Sequence, residues 1–389
     1  MAAGVTGAGA PNPGAVNPGA VNPGAPKPGA PKPGAVNPGA PRPSAPQPGP
    51  PEEGPTEGLC LVTGASGFVG SHLVERLVDR GYRVRLLLRK SSKLRWVRGL
   101  PVELTYGDIR DKASIAGACH GVQNVFHFGA LTTARNEAEF FAANEEGTKN
   151  LAEALAEHGE AGGFVVYCSS LAAGGPGIAT ASHTQPVRIE RDPDLPITPY
   201  GRSKLGGERA LFEIAKATAR FRAVALRPSV VYGPRDEALL QFFKLVKMGL
   251  LPMGGPEGAR MAMLYVLDLV DAAVAAAERD VSGVYYLCDG EAHTWQDIGR
   301  LSAELMDASP KEVRVPVPMA RMVAWAAECV GQVTGRAPML TRWKVREMQQ
   351  AHWVCSPDKA RRELGFQSKV AIELGLESTL SWYRENGWL

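Results

Sequence analysis

A chain of 389 residues that is 44% apolar can bury one large core, or one core with a smaller lobe attached. Its 43 basic and 40 acidic side chains nearly cancel to a net +3 with no Lys/Arg stripe, so no nucleic-acid partner is expected. No run reaches the roughly 18 to 20 apolar residues of a membrane span, no charged leader precedes an apolar run at the N-terminus, and six scattered cysteines (Cys60, Cys119, Cys168, Cys288, Cys329, Cys355) lack CxxC or His spacing. Reduced thiols, a cytoplasmic location and no metal follow as expectations.

From Ala10 to Gly49 a five-residue unit recurs (APNPG, AVNPG, APKPG), rich in Pro and Gly and poor in large apolar side chains. Such a segment cannot pack a core, so residues 1–57 are expected to be a disordered or polyproline-like tail, with a role as tether or as ligand of a proline-binding module left open. The apolar run Leu59 to Val62 then meets a Gly-rich turn, as a buried parallel strand would. Val69, Leu73, Leu77 and Val78 fall on one helical face, Gly81 ends that helix, and Val84 to Leu88 reads as the next strand. The pattern repeats, with strands Val125 to Phe128 and Phe164 to Cys168 and helices Asn144 to Glu157 and Lys204 to Thr218. Alternation of this kind predicts an α/β fold, a Rossmann-type doubly wound parallel sheet. After Arg235 the pattern loosens. Residues 58–235 are expected to form mainly the dinucleotide-binding domain, and residues 236–389 mainly a smaller α/β substrate lobe. Within the latter, Met319 to Val333 is apolar enough to lie on a membrane surface but too short to cross one. A buried helix is the preferred reading.

Thr63-Gly64-Ala65-Ser66-Gly67-Phe68-Val69-Gly70 joins the first strand to the first helix, where a pyrophosphate would meet free N–H groups and the positive end of the helix dipole. Gly64 can make the tight turn, Gly67 can admit phosphate to the backbone, and Gly70 can let helix and strand pack closely. An NAD enzyme usually ends its second strand on an acidic residue that binds the ribose 2′-hydroxyl; this strand ends Leu87-Leu88-Arg89-Lys90. Arg89 offers a charged fork for a 2′-phosphate, with Lys93 or Ser66 in reach, which favours NADP while leaving NAD open. A solvated strand end is the alternative.

Tyr200-Gly201-Arg202-Ser203-Lys204 puts a phenol and an ammonium four residues apart on one helix. A free phenol with a pKa near 10 is a poor base at neutral pH. A neighbouring ammonium and a positive nicotinamide would both draw it down, making Tyr200 the acid/base and Lys204 its partner. Val166-Tyr167-Cys168-Ser169-Ser170 ends a buried strand where a hydroxyl would project into the crevice and help hold the substrate oxygen.

The TGASGFVG loop, with its GxxGxxG spacing, resembles that of the extended short-chain dehydrogenase/reductase family, and the likeness runs from about Leu59 to Leu389. It implies that Ser170 rather than Ser169 is the catalytic hydroxyl. It also implies that Asp108 meets the adenine amino group with Ile109 on the ring, that Gly129-Ala130 passes beneath the nicotinamide ribose, that Pro228 in Leu226-Arg227-Pro228 lines the cofactor, and that Asn144 supports the site from behind. Phe68 and Val69 would join Gly64, Ser66 and Gly67 around the phosphates. His127 reads as a packed strand residue. The family often dimerises through four helices, here those near Glu137 and Tyr200.

Within that family, nucleotide-sugar enzymes resemble one another in an LRxxNVYGP stretch whose Asn is Val230 here, and in an Arg ahead of the YVxD element, where only Arg260 stands near Tyr265-Val266-Leu267-Asp268. Met319, Met322, Trp325, Met339, Leu340 and Trp343 suit a greasy ligand, or the lobe's own core. The stretch from Pro338 to Phe366 is similar to sterol-type and 3-oxo-acid reductases. The expected function is therefore NAD(P)-dependent interconversion of a hydroxyl and a ketone on an apolar or acyl small molecule. A nucleotide-sugar epimerase or dehydratase with tightly bound NAD is the alternative, and an NADP-sensing regulatory protein a second.

Overall fold

The computed structural model describes residues 58–179 and 186–389, so the expected tail over residues 1–57 lies outside the described residues. Six strands fill the first half, with helices between all of them except β2 and β3: β1 (Leu59–Thr63), β2 (Arg83–Leu88), β3 (Glu103–Tyr106), β4 (Val122–His127), β5 (Gly163–Cys168) and β6 (Phe221–Pro228). The strand Gly283–Leu287 joins them in a seven-stranded sheet, ordered Gly283–Leu287, β6, β5, β4, β1, β2, β3, with every pairing parallel. The order reverses between β1 and β4. At such a switch point the connecting loops diverge to opposite faces and open a crevice over the strand ends.

Burial on both faces explains why the strands read as apolar runs rather than alternating ones. Successive residues of β1 still divide by side: Cys60 and Val62 pack with the helices Phe68–Asp79 and Val266–Glu278, Leu59 and Leu61 with Lys112–Cys119 and Gly147–His158. The helix Val266–Glu278, the strand Gly283–Leu287 and the helix Asp358–Leu364 return from the second half of the chain to complete the first of these layers. The second half also builds its own core, where Leu240, Phe243, Met263, Ile298, Leu376 and Tyr383 meet.

Two elements differ from the sequence reading. The stretch expected as one helix from Asn144 to Glu157 begins as a π-helical turn, Phe141–Glu146, before Gly147–His158 continues as an α-helix; its cause lies in what Asn144 bonds. The helix expected to be buried at Met319 to Val333 forms, as Val317–Thr334, yet only Ala324 and Gly331 in it are buried. Its inward face is made of small residues. A Cβ on Gly331 would come within 2.7 Å of the Arg336 carbonyl oxygen, which lets the following chain lie close, and the large apolar side chains are turned outward. None of Met319, Met322, Trp325 or Met339 enters the lobe's core. Among the described residues no helix is long and apolar enough to cross a membrane. All six cysteines are free thiols, and Cys329 alone is exposed.

Candidate active site

The loop after β1 requires glycine at two points. Gly64 has φ +73°, and a Cβ there would lie 2.5 Å from the Phe128 carbonyl oxygen; on Gly70 it would lie 2.1 Å from the Gly64 oxygen. The Gly67 N–H closes a turn on that same oxygen at 3.0 Å. No side chain among the described residues caps the helix that starts at Phe68, and its first turn holds no acidic residue. Ser66, Phe68 and Val69 are half-buried around this open N-terminus and Gly67 is exposed, a donor-rich, positive and sterically open lip that fits a pyrophosphate.

Arg89 follows β2 directly and is exposed; its backbone N–H bonds Ser92 Oγ at 3.0 Å. Its charge reaches Asp108, whose carboxyl is held below the usual carboxylate range first by hydrogen bonds from Arg110. Those bonds engage both oxygens, Nε to Oδ1 at 2.9 Å and Nη2 to Oδ2 at 2.5 Å. The sequence reading gave Asp108 to an adenine amino group; here the carboxylate already has an internal partner. Ile109, expected over the adenine ring, packs on the helix Gly147–His158, so that a Cβ on Gly147 would meet its Cδ1 at 2.9 Å.

Ala130 is exposed beyond the end of β4, and Pro228 is buried at the end of β6. The backbone beside Ala130 is fixed from two directions. Gly129 N–H donates to Thr63 Oγ1 at 3.0 Å, and Leu131 is gripped by Asn144, which accepts its N–H at 2.8 Å and donates to its carbonyl at 3.0 Å. Asn144 Nδ2 also donates to Ser203 Oγ at 3.0 Å, inside the Tyr200–Lys204 segment. The side chain thus ties the loop under the crevice to the helix carrying the phenol.

That helix, Pro199–Thr218, starts five residues earlier than the expected span Lys204 to Thr218. Thr198 caps it, accepting the Gly201 N–H at 3.3 Å, and Pro199 supplies a preset first-turn φ. Tyr200 is half-buried and Lys204 is 1% exposed. Lys204 Nζ donates to the Cys168 carbonyl at 2.6 Å and stands 4.1 Å from the centre of the Tyr167 ring. Burial draws its pKa down to about 8. Tyr200 goes the other way: burial pushes the phenol above its ordinary value, opposed by a hydrogen bond with Ser170. The sequence expectation of a phenol lowered by its neighbour is therefore not met by the protein's own groups.

The two serines after β5 divide by partner. Ser169 is buried and donates to the Glu208 carboxylate, which Arg227 also engages at 2.9 and 2.5 Å. Ser170 is half-buried, accepts the Ala172 N–H at 3.1 Å and faces Tyr200. Below them His127 is wholly buried. Thr148 Oγ1 donates its proton to the Asn144 carbonyl at 2.7 Å, so it accepts from His127 Nε2 at 3.0 Å; Nδ1 then accepts from Thr63 Oγ1 at 2.6 Å. The ring is neutral, as burial and the Lys204 charge require in pushing its pKa to about 3. Sequence reasoning assigned no role to Thr63, Thr148 or Glu208. The one signal was polar residues, Thr63 and Arg227, closing otherwise apolar strands.

The model of the NAD dependent epimerase/dehydratase family matches residues 60–288. The ceramide reductase of Caulobacter vibrioides is 30% identical over 335 residues, 85% of this chain and 96% of that protein. A 3 beta-hydroxysteroid dehydrogenase/Delta 5-->4-isomerase of Mycobacterium tuberculosis is 29% identical over 84% of this chain and 90% of its own length. The crystal structure of Thermus thermophilus UDP-glucose 4-epimerase in complex with NAD superposes with TM-score 0.67 at 26% identity, covering 84% of this chain and 99% of that one. The chain belongs to the NAD dependent epimerase/dehydratase family, within the extended short-chain dehydrogenases/reductases, and is an enzyme of the NAD-dependent oxidoreductase or epimerase kind.

Proposed function

We propose that this enzyme interconverts a hydroxyl and a ketone on an apolar or acyl substrate, using NADP, with residues 58–235 chiefly holding the cofactor and residues 236–389 chiefly the substrate. The observation that carries the reading is the meeting of Ser170 and Tyr200 over the C-terminal edge of the sheet, with the Lys204 ammonium anchored beneath on Cys168. A nicotinamide held in the crevice would supply or accept hydride at C4. In the reducing direction Tyr200 Oη gives its proton to the substrate oxygen while Ser170 Oγ donates a hydrogen bond to the same atom as charge develops there. Lys204 keeps a positive charge beneath the reacting centre. Gly64, Ser66, Gly67, Phe68 and Val69 would hold the pyrophosphate, Ala130 and Pro228 would flank the nicotinamide end, and Asp108 and Ile109 would border the adenine.

The exposed Arg89 after β2 supports NADP, because a guanidinium pairs with a 2′-phosphate that an acidic residue would repel. An apolar substrate is supported by Val230, 44% exposed where sugar enzymes place an amide, and by relatives named for ceramide and 3 beta-hydroxysteroid substrates. The likeness to UDP-glucose 4-epimerase favours the second reading, an epimerase with NAD. Fluorescence titration with NADPH and NADH, on wild type and Arg89→Asp, separates them. NADPH should bind at least about tenfold more tightly and the substitution should erase that preference. Tyr200→Phe should retain NADPH binding and lose roughly 100-fold or more in turnover of an apolar ketone. NADH binding more tightly, with turnover of a nucleotide sugar, overturns the reading.

A further inference from the structure

The helix Val317–Thr334 reverses the usual arrangement of a surface helix. Met322 and Val323 stand three and four residues after Met319, Val330 seven after Val323 and Val333 three after Val330, which places them on a single stripe, and that stripe faces outward. Met322 is 62% exposed and Val333 88%, and Trp325 lies exposed beside them. The opposite stripe, Ala324 and Gly331, is what the protein covers. A contiguous apolar surface of this kind marks a docking face.

Charge indicates what docks. From Arg314 to Met348 the chain holds six basic residues, Arg314, Arg321, Arg336, Arg342, Lys344 and Arg346, all exposed, against two acidic residues, Glu328 and Glu347. Arg342 pairs with Glu328 at 2.7 Å and Lys344 with Glu347 at 3.1 Å, so the basic excess rests on Arg314, Arg321, Arg336 and Arg346. An apolar stripe with Met and Trp, rimmed by Arg and Lys, is the composition of a helix lying in the interface of an anionic bilayer, its aliphatic side chains among acyl chains and its cations at the phosphates.

The same element adjoins the reacting centre. Gln332 donates to the Arg135 carbonyl at 3.0 Å, in the segment following Ala130. In the next helix, Arg342–Met348, Trp343 lies 6.0 Å from the Phe140 ring, which lies 5.9 Å from Tyr200, and Glu347 accepts from Thr198 Oγ1 at 3.0 Å. We propose that Val317–Thr334 and Arg342–Met348 seat the enzyme on an anionic lipid surface, with the crevice over Tyr200 opening to the bilayer so that an apolar substrate passes in without crossing water. The docking stands on the exposed helix; the passage of substrate rests on the functional reading above.

The experiment is co-sedimentation of the full chain with phosphatidylcholine vesicles containing or lacking phosphatidylglycerol. Wild type should pellet with the anionic vesicles, be released by high salt, and lose about tenfold or more in partitioning when Met322→Glu and Val330→Glu are combined. Arg321→Gln and Arg336→Gln should each weaken binding by about fivefold at low salt. Both pairs of positions are exposed, and unchanged NADPH binding and melting temperature verify that the variants fold. A chain that stays in the supernatant with anionic vesicles at low salt, or binding that the glutamates leave intact, sinks the proposal. So does a dimer on a sizing column that M322E/V330E dissociates, since a second copy would then own the face. Vesicle binding without ketone turnover would fault the functional reading and leave the docking standing.

Discussion

Lys204 and Tyr200 share a helix face and are shifted by the same burial in opposite directions, the ammonium down to about 8 and the phenol up. In the reducing direction the active form is phenol protonated and ammonium charged. The phenol keeps its proton well above neutrality, so the group that limits activity at alkaline pH is Lys204, which loses its charge as pH rises through about 8. The expected profile of kcat/KM for ketone reduction is level from pH 6 to near 8 and falls by about tenfold per unit above it. Lys204→Met should be slow at every pH and lack that fall. A wild-type profile that stays level to pH 10 removes Lys204 from the mechanism. The Tyr–Lys spacing was legible because it is local, four residues on one helix. The preference for Ser170 over Ser169 came from the family resemblance rather than from local pattern, because what separates the two is Glu208, 39 residues beyond Ser169 and buried against it.

At the scale of elements, β1, β2, β4 and β5 were readable from apolar runs, since parallel strands buried on both faces leave that trace, whereas β3, largely exposed at the sheet's edge, carries none. The π-helical turn Phe141–Glu146 was not readable either. Phe-Ala-Ala-Asn-Glu-Glu holds no Gly or Pro and two Ala and two Glu, and local propensity predicts an unbroken α-helix. The wider turn is stabilised by three hydrogen bonds made from one buried amide, Asn144 to Leu131 N–H, Leu131 C=O and Ser203 Oγ. Such turns occur at functional sites because they re-aim a side chain without ending the helix. Asn144→Leu should leave the Leu131 backbone pair unsatisfied and cost about 2–4 kcal/mol in urea unfolding. Because Leu131 follows Ala130, it should also raise the KM for cofactor more than it lowers kcat. Unchanged stability together with a lowered kcat would instead make Asn144 a participant in the chemistry.

For the molecule as a whole, the sequence reading assigned its two halves to two tasks, and the chain interleaves them: Gly283–Leu287 returns to pair with β6 after the second core has begun. Apolarity likewise predicted burial for Met319 to Val333, but burial needs a second layer to pack against, and no residue pattern within a helix states whether one arrives. What joins the returning strand to the site is a buried charge network. Arg227 on β6 binds Glu208 of the Tyr200 helix at 2.5 Å, Asp194 at 2.6 Å and the Tyr286 hydroxyl of Gly283–Leu287 at 2.9 Å, with Glu208 also holding Ser169. Arg227 and Glu208 are 3% and 2% exposed, so neither charge has water to fall back on. Removing one partner leaves the other buried and uncompensated, and Arg227→Met should cost about 3–5 kcal/mol in urea unfolding. The double variant Arg227→Met/Glu208→Met takes out both charges at once, and it should be more stable than the sum of the single losses by about 2 kcal/mol. Strict additivity in that cycle, or a single loss below about 1 kcal/mol, would mean that the apolar layers alone hold the returning strand to the sheet and that the network serves only to orient Ser169 beside the site.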